Sequence, residues 1–374
     1  MTSPFEQGRR RGELEKSAIR HVLDEVYRFI DFFEIERDQF LKVDKEKLKF
    51  VPERFLEECR GLAEGAESSY EEIVAVNFST VIGRLFRDGC TAFIVPKGCS
   101  EDGSVMLLKN RDLGLRRLHP QVLSYSQLDG YNEFLGVTDA GSAYWYQGVN
   151  KKGLVVFNTA TPCQPLDPTD AQGMATPILV RRMLEECDNV DEAIKFIETN
   201  TYSACSNLFL GDCERTAIVE IKAGFKPHVW EIENLDCRSN HYLFHTNPEE
   251  KTKEEILSRL QTQTRYARGK QLIAEKGEEK IGVNDLQQFS KDHSNGPSPY
   301  SVCRHPPVVG TPLEKLMSST TLSAEIFKLG DEIETFVALG YPCQTEFVKL
   351  KYDEAVPEPL ASGTLWLEKL KTKH

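Results

Sequence analysis

Apolar residues in the first part of the chain recur at steps of three and four, the period of one face of an α-helix. The spacing is clearest over residues 13–33 and predicts a helix there, with two further helices predicted over residues 52–66 and 70–85. The N-terminal segment, up to Gly89, is therefore expected to be almost entirely helical.

The pattern changes after Gly89, where short apolar runs typical of strands begin. Residues 91–95 and 104–109 form the first predicted pair, joined by a glycine-containing turn over residues 96–103. Short connections make this pair and three later pairs antiparallel hairpins. The later pairs are residues 143–149 with 154–159, 207–210 with 216–221, and 321–328 with 333–339.

Helical spacing returns between these hairpins. One helix is expected to have Thr176 as its cap and Pro177 at its first position, a second covers residues 191–198, and a long charged helix covers residues 249–276. Because strands and helices occur in separate runs, the sequence predicts an α+β fold of layered antiparallel sheets with helices packed outside. A length of 374 residues fits one large domain or two small ones.

The formal net charge of −12 disfavours binding to nucleic acid, because a phosphate backbone would be repelled. The nearest approach to a basic patch is Lys109, Arg111, Arg116 and Arg117, interpreted as a solvated face or a local anion contact. The first residues are charged, without an apolar stretch of signal-peptide length, and no run approaches the length of a membrane span. A cytoplasmic protein that binds neither nucleic acid nor membrane is expected.

The ten cysteines contain no C-x-x-C pair and no paired spacing of zinc ligands, so most are expected to be buried, reduced thiols without disulfides. His241 and His245 lie four residues apart but lack the adjacent glutamate of a metalloprotease helix. His293 and His305 are interpreted as structural hydrogen-bonding residues. No metal and no cofactor is expected.

Cys90 lies at the predicted boundary between the helical segment and the first strand. In an antiparallel hairpin centred near residues 100–101, the start of the first strand lies beside the end of the second, so Cys90 faces residues 110–112. The hairpin thus brings a thiol, the amide of Asn110 and the carboxylate of Asp112 to one end of a sheet.

A thiol at this boundary can attack the carbonyl of its own preceding peptide bond, and Gly89 would permit a strained conformation there. Hydrolysis of the resulting thioester would cut the chain and give Cys90 a free amino group. That amine, with a reference pKa of about 7.7 to 8.0, can serve as general base for the thiol. The alternative is a buried cysteine that packs as a small hydrophobic residue.

The segment Arg87-Asp88-Gly89-Cys90-Thr91, followed by Asn110-Arg111-Asp112, resembles the acyl-coenzyme A:6-aminopenicillanic acid acyltransferase family. Members of that family mature by cutting before the cysteine of a D-G-C-T motif, and related bile-salt and penicillin V amidases share the nucleophile. The resemblance extends over nearly the whole chain. Its other elements are Gly8 and Gly12 as an opening G-x-x-x-G, residues 147–154 as a G-x-N-x-x-G-L hairpin, Asp292-His293-Ser294-Asn295, and Ser301-Val302-Cys303-Arg304-His305.

The resemblance implies roles for three residues besides Cys90. Asp112 would contact the new amino group, Asn207 would donate to the oxyanion, and Arg265 would reach the nucleophile. The alternatives are an aspartate at a strand end, an asparagine that caps a turn, and a solvated helical arginine. Thr264 stands where the family has a serine before the arginine, so the alignment there is less secure.

By the same resemblance, the chain is expected to form the four-layer αββα sandwich of the N-terminal-nucleophile (Ntn) hydrolases. Residues 1–89 would become a small subunit and residues 90–374 the large catalytic subunit, held together as a heterodimer by apolar helix faces; higher homo-oligomers stay open. The expected activity is hydrolysis or transfer at the C–N amide bond of a small N-acyl amine or N-acyl amino acid. Lys109 stands where bile-salt hydrolases carry arginine, which leaves the substrate open.

Three alternatives remain at this point. An N-acyltransferase that uses an acyl-coenzyme A thioester would form the same acyl-enzyme and resolve it with an amine in place of water. A non-catalytic binding protein could keep the fold. A papain-like protease would need a cysteine at the start of a helix beside a histidine, whereas Cys90 precedes a predicted strand.

Overall fold

The computed structural model describes residues 2–79, 89–162, 172–250, 252–294 and 296–371, with only the main chain of Leu316 and Lys371. Its N-terminal part is helical, as the apolar spacing predicts. The helix predicted over residues 70–85 ends at Phe78, and residues 80–85 lie outside the described residues. The helices of this part are α1 Pro4–Phe32, α2 Arg37–Leu41, α3 Lys45–Leu48, α4 Glu53–Ala66 and α5 Tyr70–Phe78.

Helices α1 and α4 pack with their main chains in contact. A Cβ atom on Gly8 would lie 2.1 Å from the carbonyl oxygen of Glu58, and one on Gly61 would lie 2.0 Å from the carbonyl oxygen of Phe5. Glycine is required for so close an approach, because any side chain would overlap the other helix. The G-x-x-x-G element at the start of the chain is therefore a helix-packing site.

Two antiparallel sheets follow the helical segment. The first has six strands in the order β10-β1-β2-β11-β12-β13, and the second has seven in the order β3-β4-β5-β6-β7-β8-β9. Each of the four predicted hairpins is present, as β1 with β2, β5 with β6, β7 with β8, and β11 with β12. The strands are β1 Gly89–Val95, β2 Val105–Leu113, β3 Gln121–Ser126, β4 Phe134–Asp139, β5 Gln147–Asn150, β6 Val155–Ala160, β7 Cys205–Gly211, β8 Thr216–Lys222, β9 His228–Glu231, β10 Asp236–Arg238, β11 Thr320–Leu329, β12 Ile333–Leu339 and β13 Val348–Lys351.

The remaining helices lie between strands and after the last strand. The predicted cap at Thr176 is wrong by one residue, because Ala175 is the cap and Thr176 is the first helical residue, ahead of Pro177. Within the described residues, no helix is both long and apolar enough to span a membrane. These helices are α6 Thr176–Glu186, α7 Val190–Thr199, α8 Lys253–Lys276, α9 Val283–Lys291, α10 Pro312–Met317, α11 Glu358–Ala361 and α12 Thr364–Lys371.

Three apolar clusters define the layers. Leu107 and Phe327 of the first sheet meet Phe157 and Phe209 of the second in the space between the sheets. A second cluster joins the outer face of the second sheet to α1, α4, α6 and α7, and a third joins the outer face of the first sheet to α8 and α9. The predicted four-layer αββα arrangement is confirmed.

Candidate active site

The β1–β2 hairpin places Cys90 as the sequence predicts. Its register pairs Gly89 with Asp112, Cys90 with Arg111, and Thr91 with Asn110. On the other side of β1, the short strand β10 pairs Ala92 with Arg238, so the residues just after β10 lie beside Cys90. The cysteine is buried, with 5% of its surface exposed.

Both main-chain polar groups of Cys90 are held by side chains. Its N–H donates to Asn240 Oδ1 (2.8 Å), and its carbonyl accepts from Arg265 Nη1 (2.5 Å). A second guanidinium nitrogen of Arg265 donates to the same Asn240 oxygen (2.7 Å). Because Asn240 Nδ2 donates to the carbonyl of Ala160 (2.7 Å), the amide can present only its oxygen to Cys90.

Asp112 lies across the hairpin from the Gly89–Cys90 peptide and is 1% exposed. Its Oδ1 accepts the hydroxyl hydrogen of Thr321 (2.7 Å), whereas its Oδ2 has no hydrogen-bond partner. Guanidinium nitrogens of Arg265 and Arg304 lie 3.9 Å from Oδ2. Burial raises the pKa of Asp112 to about 6, because desolvation outweighs the attraction of the two arginines. The carboxylate thus has an acceptor oxygen open to a new donor.

Arg304 is the second cation of the site, and sequence analysis assigned it no role beyond its place in a C-R-H element. Its main-chain N–H donates to Thr321 Oγ1 (2.8 Å), the hydroxyl that binds Asp112. Burial and the charge of Arg304 lower the pKa of Arg265 to about 9, and both arginines interact electrostatically with Cys90. The cysteine therefore lies within the electrostatic reach of two buried cations.

Asn207 lies on β7, opposite Thr159 of β6. Its Nδ2 donates to the carbonyls of Ser239 and His241 (3.1 and 3.2 Å) and to Thr159 Oγ1 (3.1 Å). These bonds hold the segment that carries Asn240, and they occupy the amide hydrogens that an oxyanion would need. The predicted oxyanion role of Asn207 stays a prediction, and the contact to Cys90 belongs to Asn240.

The basic residues proposed as a possible anion patch are engaged elsewhere. Lys109 is buried and donates to the carbonyl of Tyr146 (3.1 Å). Arg111 forms a two-pronged ion pair with Asp139 at 2.6 and 2.9 Å. Arg117 pairs with Glu25 at 3.0 Å, and Arg116 donates to the carbonyl of Thr321 (2.9 Å). A shared nucleic-acid surface is therefore not formed by these four side chains.

One expectation about the cysteines is wrong. Cys205, at the start of β7, is disulfide-bonded, and its partner lies outside the described residues. The cysteines that the structure describes as free include Cys90, Cys303 and Cys343. The nearest cysteine in the sequence, Cys213, is free, so spacing alone would not have identified the bond.

Two site residues were missed from the sequence. Asn240 follows β10, a strand of three residues whose pairing with β1 is not visible in the apolar pattern. Arg304 belongs to a loop that is distant from Gly89 in sequence, so its position beside the first sheet depends on the tertiary fold. The Ser239-Asn240-His241 run directly after a short strand is the one local signal that could have pointed to Asn240.

Comparison with known proteins identifies similar chains. The sequence profile of the family described as acyl-coenzyme A:6-aminopenicillanic acid acyl-transferase matches residues 99–311. A protein of Archaeoglobus fulgidus, described as uncharacterized, is 22% identical over 225 residues, which are 52% of this chain and 38% of that protein. The chain therefore spans less than half the length of this curated relative.

Solved structures with similar folds are more distant in sequence. A mutant of conjugated bile acid hydrolase from Clostridium perfringens is 12% identical, with a TM-score of 0.45 over 72% of this chain and 98% of that one. Penicillin V acylase from Agrobacterium tumefaciens is 15% identical, with a TM-score of 0.46 over 71% and 87%. A Caenorhabditis elegans N-acylethanolamine-hydrolyzing acid amidase ortholog is 12% identical, with a TM-score of 0.44 over 72% and 100%.

Proposed function

The chain belongs to the acyl-coenzyme A:6-aminopenicillanic acid acyltransferase family, and on that premise we propose that it is a self-processing enzyme with Cys90 as its nucleophile. The matched residues begin at Cys99, so the family assignment does not itself include the cysteine. The observation that carries the proposal is that both main-chain polar groups of Cys90 are bound. Asn240 accepts from its N–H, which belongs to the Gly89–Cys90 peptide, and Arg265 donates to its carbonyl, which belongs to the next peptide.

Processing begins with attack of Cys90 Sγ on the carbonyl carbon of Gly89. The C–N bond breaks as the S–C bond forms, and the thiol proton ends on the nitrogen of Cys90. Water then hydrolyses the thioester, which leaves a carboxylate on Gly89 and regenerates the thiol. Arg265 and Arg304 interact electrostatically with Cys90, and their positive charges would stabilise the negative charge that develops in the tetrahedral intermediate.

After cleavage, the former peptide nitrogen of Cys90 is an amine in a site already built for a nitrogen donor. Asn240 Oδ1 accepts from that nitrogen in the uncut chain. Asp112 Oδ2 is buried and has no hydrogen-bond partner, so it can accept a hydrogen bond from the new amine and hold its positive charge once the amine has taken a proton. The amine is thereby held next to the thiol, where it can serve as the general base.

The catalytic cycle we propose is acyl transfer through a thioester on Cys90. An amide or a thioester can supply the acyl group, and water or an amine can remove it, since both routes share one acyl-enzyme. We propose a small N-acyl amine or N-acyl amino acid as the donor and water as the acceptor. Asn207 is retained as the proposed oxyanion donor, which requires its amide to leave its present acceptors.

The two fragments should stay together after cleavage. Glu58 of the N-terminal segment pairs with Arg181 of the catalytic part at 2.7 Å, with both side chains fully buried. Arg11 also reaches across, donating to the carbonyl of Ser142 (2.9 Å). Because α1 and α4 bury apolar faces on the second sheet, separation would expose those faces to water.

The decisive experiment compares the parent chain with its Cys90→Ala variant by intact mass and N-terminal sequencing. We expect two co-eluting fragments from the parent, the larger beginning Cys90-Thr91, and one uncut chain from the variant. A parent chain that stays whole under conditions in which it is folded would sink self-processing. It would favour the binding-protein alternative.

Processed protein then separates hydrolase from transferase. N-acyl amino acids and N-acyl amines are offered as donors, and the acyl mass on the large fragment is followed with time. Loss of the acyl group to water without added amine supports the hydrolase. An acyl group that arrives only from acyl-coenzyme A and leaves only to an added amine would support the transferase alternative.

A further inference from the structure

Four potential metal ligands from three separate segments converge behind the candidate active site. His293 follows α9, Cys303 and His305 lie in the loop before α10, and Cys343 lies in the 3-10 turn Pro342–Gln344. One donor atom from each lies within 4.8 Å of all the others. The sequence hides this group, because the ligands are spread over residues 293–343.

Three separations between donor atoms, all measured from His305 Nε2, are close to those around a tetrahedral ion. His305 Nε2 lies 3.1 Å from His293 Nε2, 3.5 Å from Cys303 Sγ and 3.4 Å from Cys343 Sγ. With Zn–N of about 2.0 Å and Zn–S of about 2.3 Å, tetrahedral zinc separates two nitrogens by about 3.4 Å and nitrogen from sulfur by about 3.5 Å. The observed separations are close to these edges.

Hydrogen bonds alone account poorly for this contact pattern. A single imidazole nitrogen carries either one proton or one lone pair, so His305 Nε2 can make one good hydrogen bond. It nevertheless has three close neighbours, which are His293 Nε2 and the sulfur atoms of Cys303 and Cys343. An ion at the centre would satisfy all four donor atoms at once.

We propose that these four residues form a Cys2His2 zinc site. Thiolate and imidazole ligands select zinc over calcium and magnesium, which prefer oxygen ligands. Binding displaces the protons of both thiols, so the two thiolates balance the charge of Zn²⁺. Four protein ligands leave no open position for water, which makes the site structural.

The surroundings hold the ligands in place. The ring of His305 stacks on Tyr341, with centroids 4.1 Å apart and an interplanar angle of 18°. The main-chain N–H of Cys303 donates to the carbonyl of Asp292 (3.0 Å), which ties the second ligand to the residue before the first. Asp292 is itself fixed by an ion pair with Arg268 at 2.7 Å.

The consequence for the active site comes through Arg304, which lies between two of the ligands. Zinc bound to Cys303 and His305 would fix the main chain on both sides of Arg304. It would thereby hold the Arg304 guanidinium in its position 3.9 Å from Asp112 Oδ2. Zinc binding itself does not depend on the proposed activity. A chain that holds zinc and never cleaves would overturn the proposed function and leave this site intact.

The test measures zinc in the untagged full-length chain, because affinity tags bind metals. We expect about one zinc ion per chain in the wild type by inductively coupled plasma mass spectrometry. Cys343→Ser should lose it, since a serine hydroxyl is a poor zinc ligand. Cys213→Ser is the matched control, because Cys213 is a free, exposed cysteine outside the group, and it should keep its zinc.

Cobalt provides a readout of geometry in the wild type alone. Replacing zinc with Co²⁺ should give the intense visible bands of a tetrahedral ion and a sulfur-to-cobalt charge-transfer band. Wild-type protein that holds no stoichiometric zinc and shows no such bands would overturn the proposal, whether or not Cys343→Ser folds. Zinc retained by Cys343→Ser, or a disulfide between Cys303 and Cys343 in freshly purified protein, would overturn it too.

Discussion

The Nη1 atom of Arg304 lies where a side chain on Gly89 would begin, since a Cβ atom at position 89 would be 2.0 Å from it. The guanidinium cannot easily move, because it is buried and donates to the carbonyl of Pro299 (3.0 Å) and to Gln261 Oε1 (2.7 Å). This contact gives a reason of space for glycine before the cysteine, and the strained conformation that glycine would permit there stays a prediction.

Gly89→Ala should therefore slow self-cleavage roughly tenfold or more, because moving Arg304 breaks hydrogen bonds of about 1–3 kcal/mol. A time course of fragment formation on denaturing gels measures the rate. Gly98→Ala is the control, since a Cβ atom there would meet nothing within 4 Å. Cleavage of Gly89→Ala at the wild-type rate would contradict this role of Arg304.

Asp112 should give processing a pH dependence. Its raised pKa, about 6, means that the carboxylate forms only as the pH rises through that value. The Cys90 nitrogen gains a proton as the C–N bond breaks, and the ionised carboxylate can accept a hydrogen bond from it at that point. Cleavage should therefore increase with pH around 6, and Asp112→Asn should lose this dependence with most of the rate. Fragment yield across pH 4 to about 8 checks it. An Asp112→Asn chain that cleaves normally would remove Asp112 from the mechanism.

The same carboxyl group should make the folded chain less stable as the pH rises, whereas it makes cleavage faster. The folded pKa of Asp112 lies above the unfolded one, so the folded chain holds its proton more tightly and loses stability as the pH rises from about 4 to about 6. A shift of about two pKa units corresponds to roughly 3 kcal/mol. Urea unfolding of Cys90→Ala and Cys90→Ala/Asp112→Asn chains isolates this difference in uncut protein. Equal pH profiles for the two chains would contradict it.

Asn240 and Asn207 should fail in different ways when each is replaced by alanine. Asn240→Ala removes the acceptor of the Cys90 N–H. Loss of that hydrogen bond should raise the barrier to cleavage by about 1–3 kcal/mol, which slows cleavage roughly tenfold to a hundredfold. Asn207→Ala removes donors to two carbonyls and should chiefly lower stability, by about 1–3 kcal/mol. Cleavage rates and urea midpoints of both variants distinguish the roles. A fully stable Asn207→Ala chain with a large loss of turnover would support the oxyanion role instead.

Local pattern was sufficient for much of the fold. Alternating apolar runs and short turns predicted the β1–β2 hairpin and its register, because both depend on residues close in sequence. The position of Asp112 opposite Gly89, beside the Gly89–Cys90 peptide, followed from that register. The contact of Cys90 with Asn240 did not, since it depends on β10, which is too short to show a pattern.

Residues that act through long-range packing were the ones missed. Arg304 was part of a recognised element, but its approach to Gly89 depends on a loop that folds against the first sheet. Cys303 and Cys343 lie 40 residues apart in sequence, beyond any spacing rule for metal ligands. The distances between such residues depend on how the layers pack together, so sequence periodicity cannot predict them.

Association of the two fragments should depend on the buried ion pair between Glu58 and Arg181, which is fully enclosed. Glu58→Ala removes the carboxylate that two buried arginines share, so Arg181 keeps only Glu185 and Arg11 keeps only Glu15 as an ion-pair partner. The change should destabilise the chain by about 3–5 kcal/mol. Arg60→Ala is the control on the same helix, because Arg60 is about two-fifths exposed and its pairs contribute only about 0–1 kcal/mol. Urea unfolding of uncut chains and gel filtration of cut ones measure the two effects. Fragments of Glu58→Ala that unfold and co-elute like those of Arg60→Ala would show that apolar packing of α1 and α4 alone holds the subunits together.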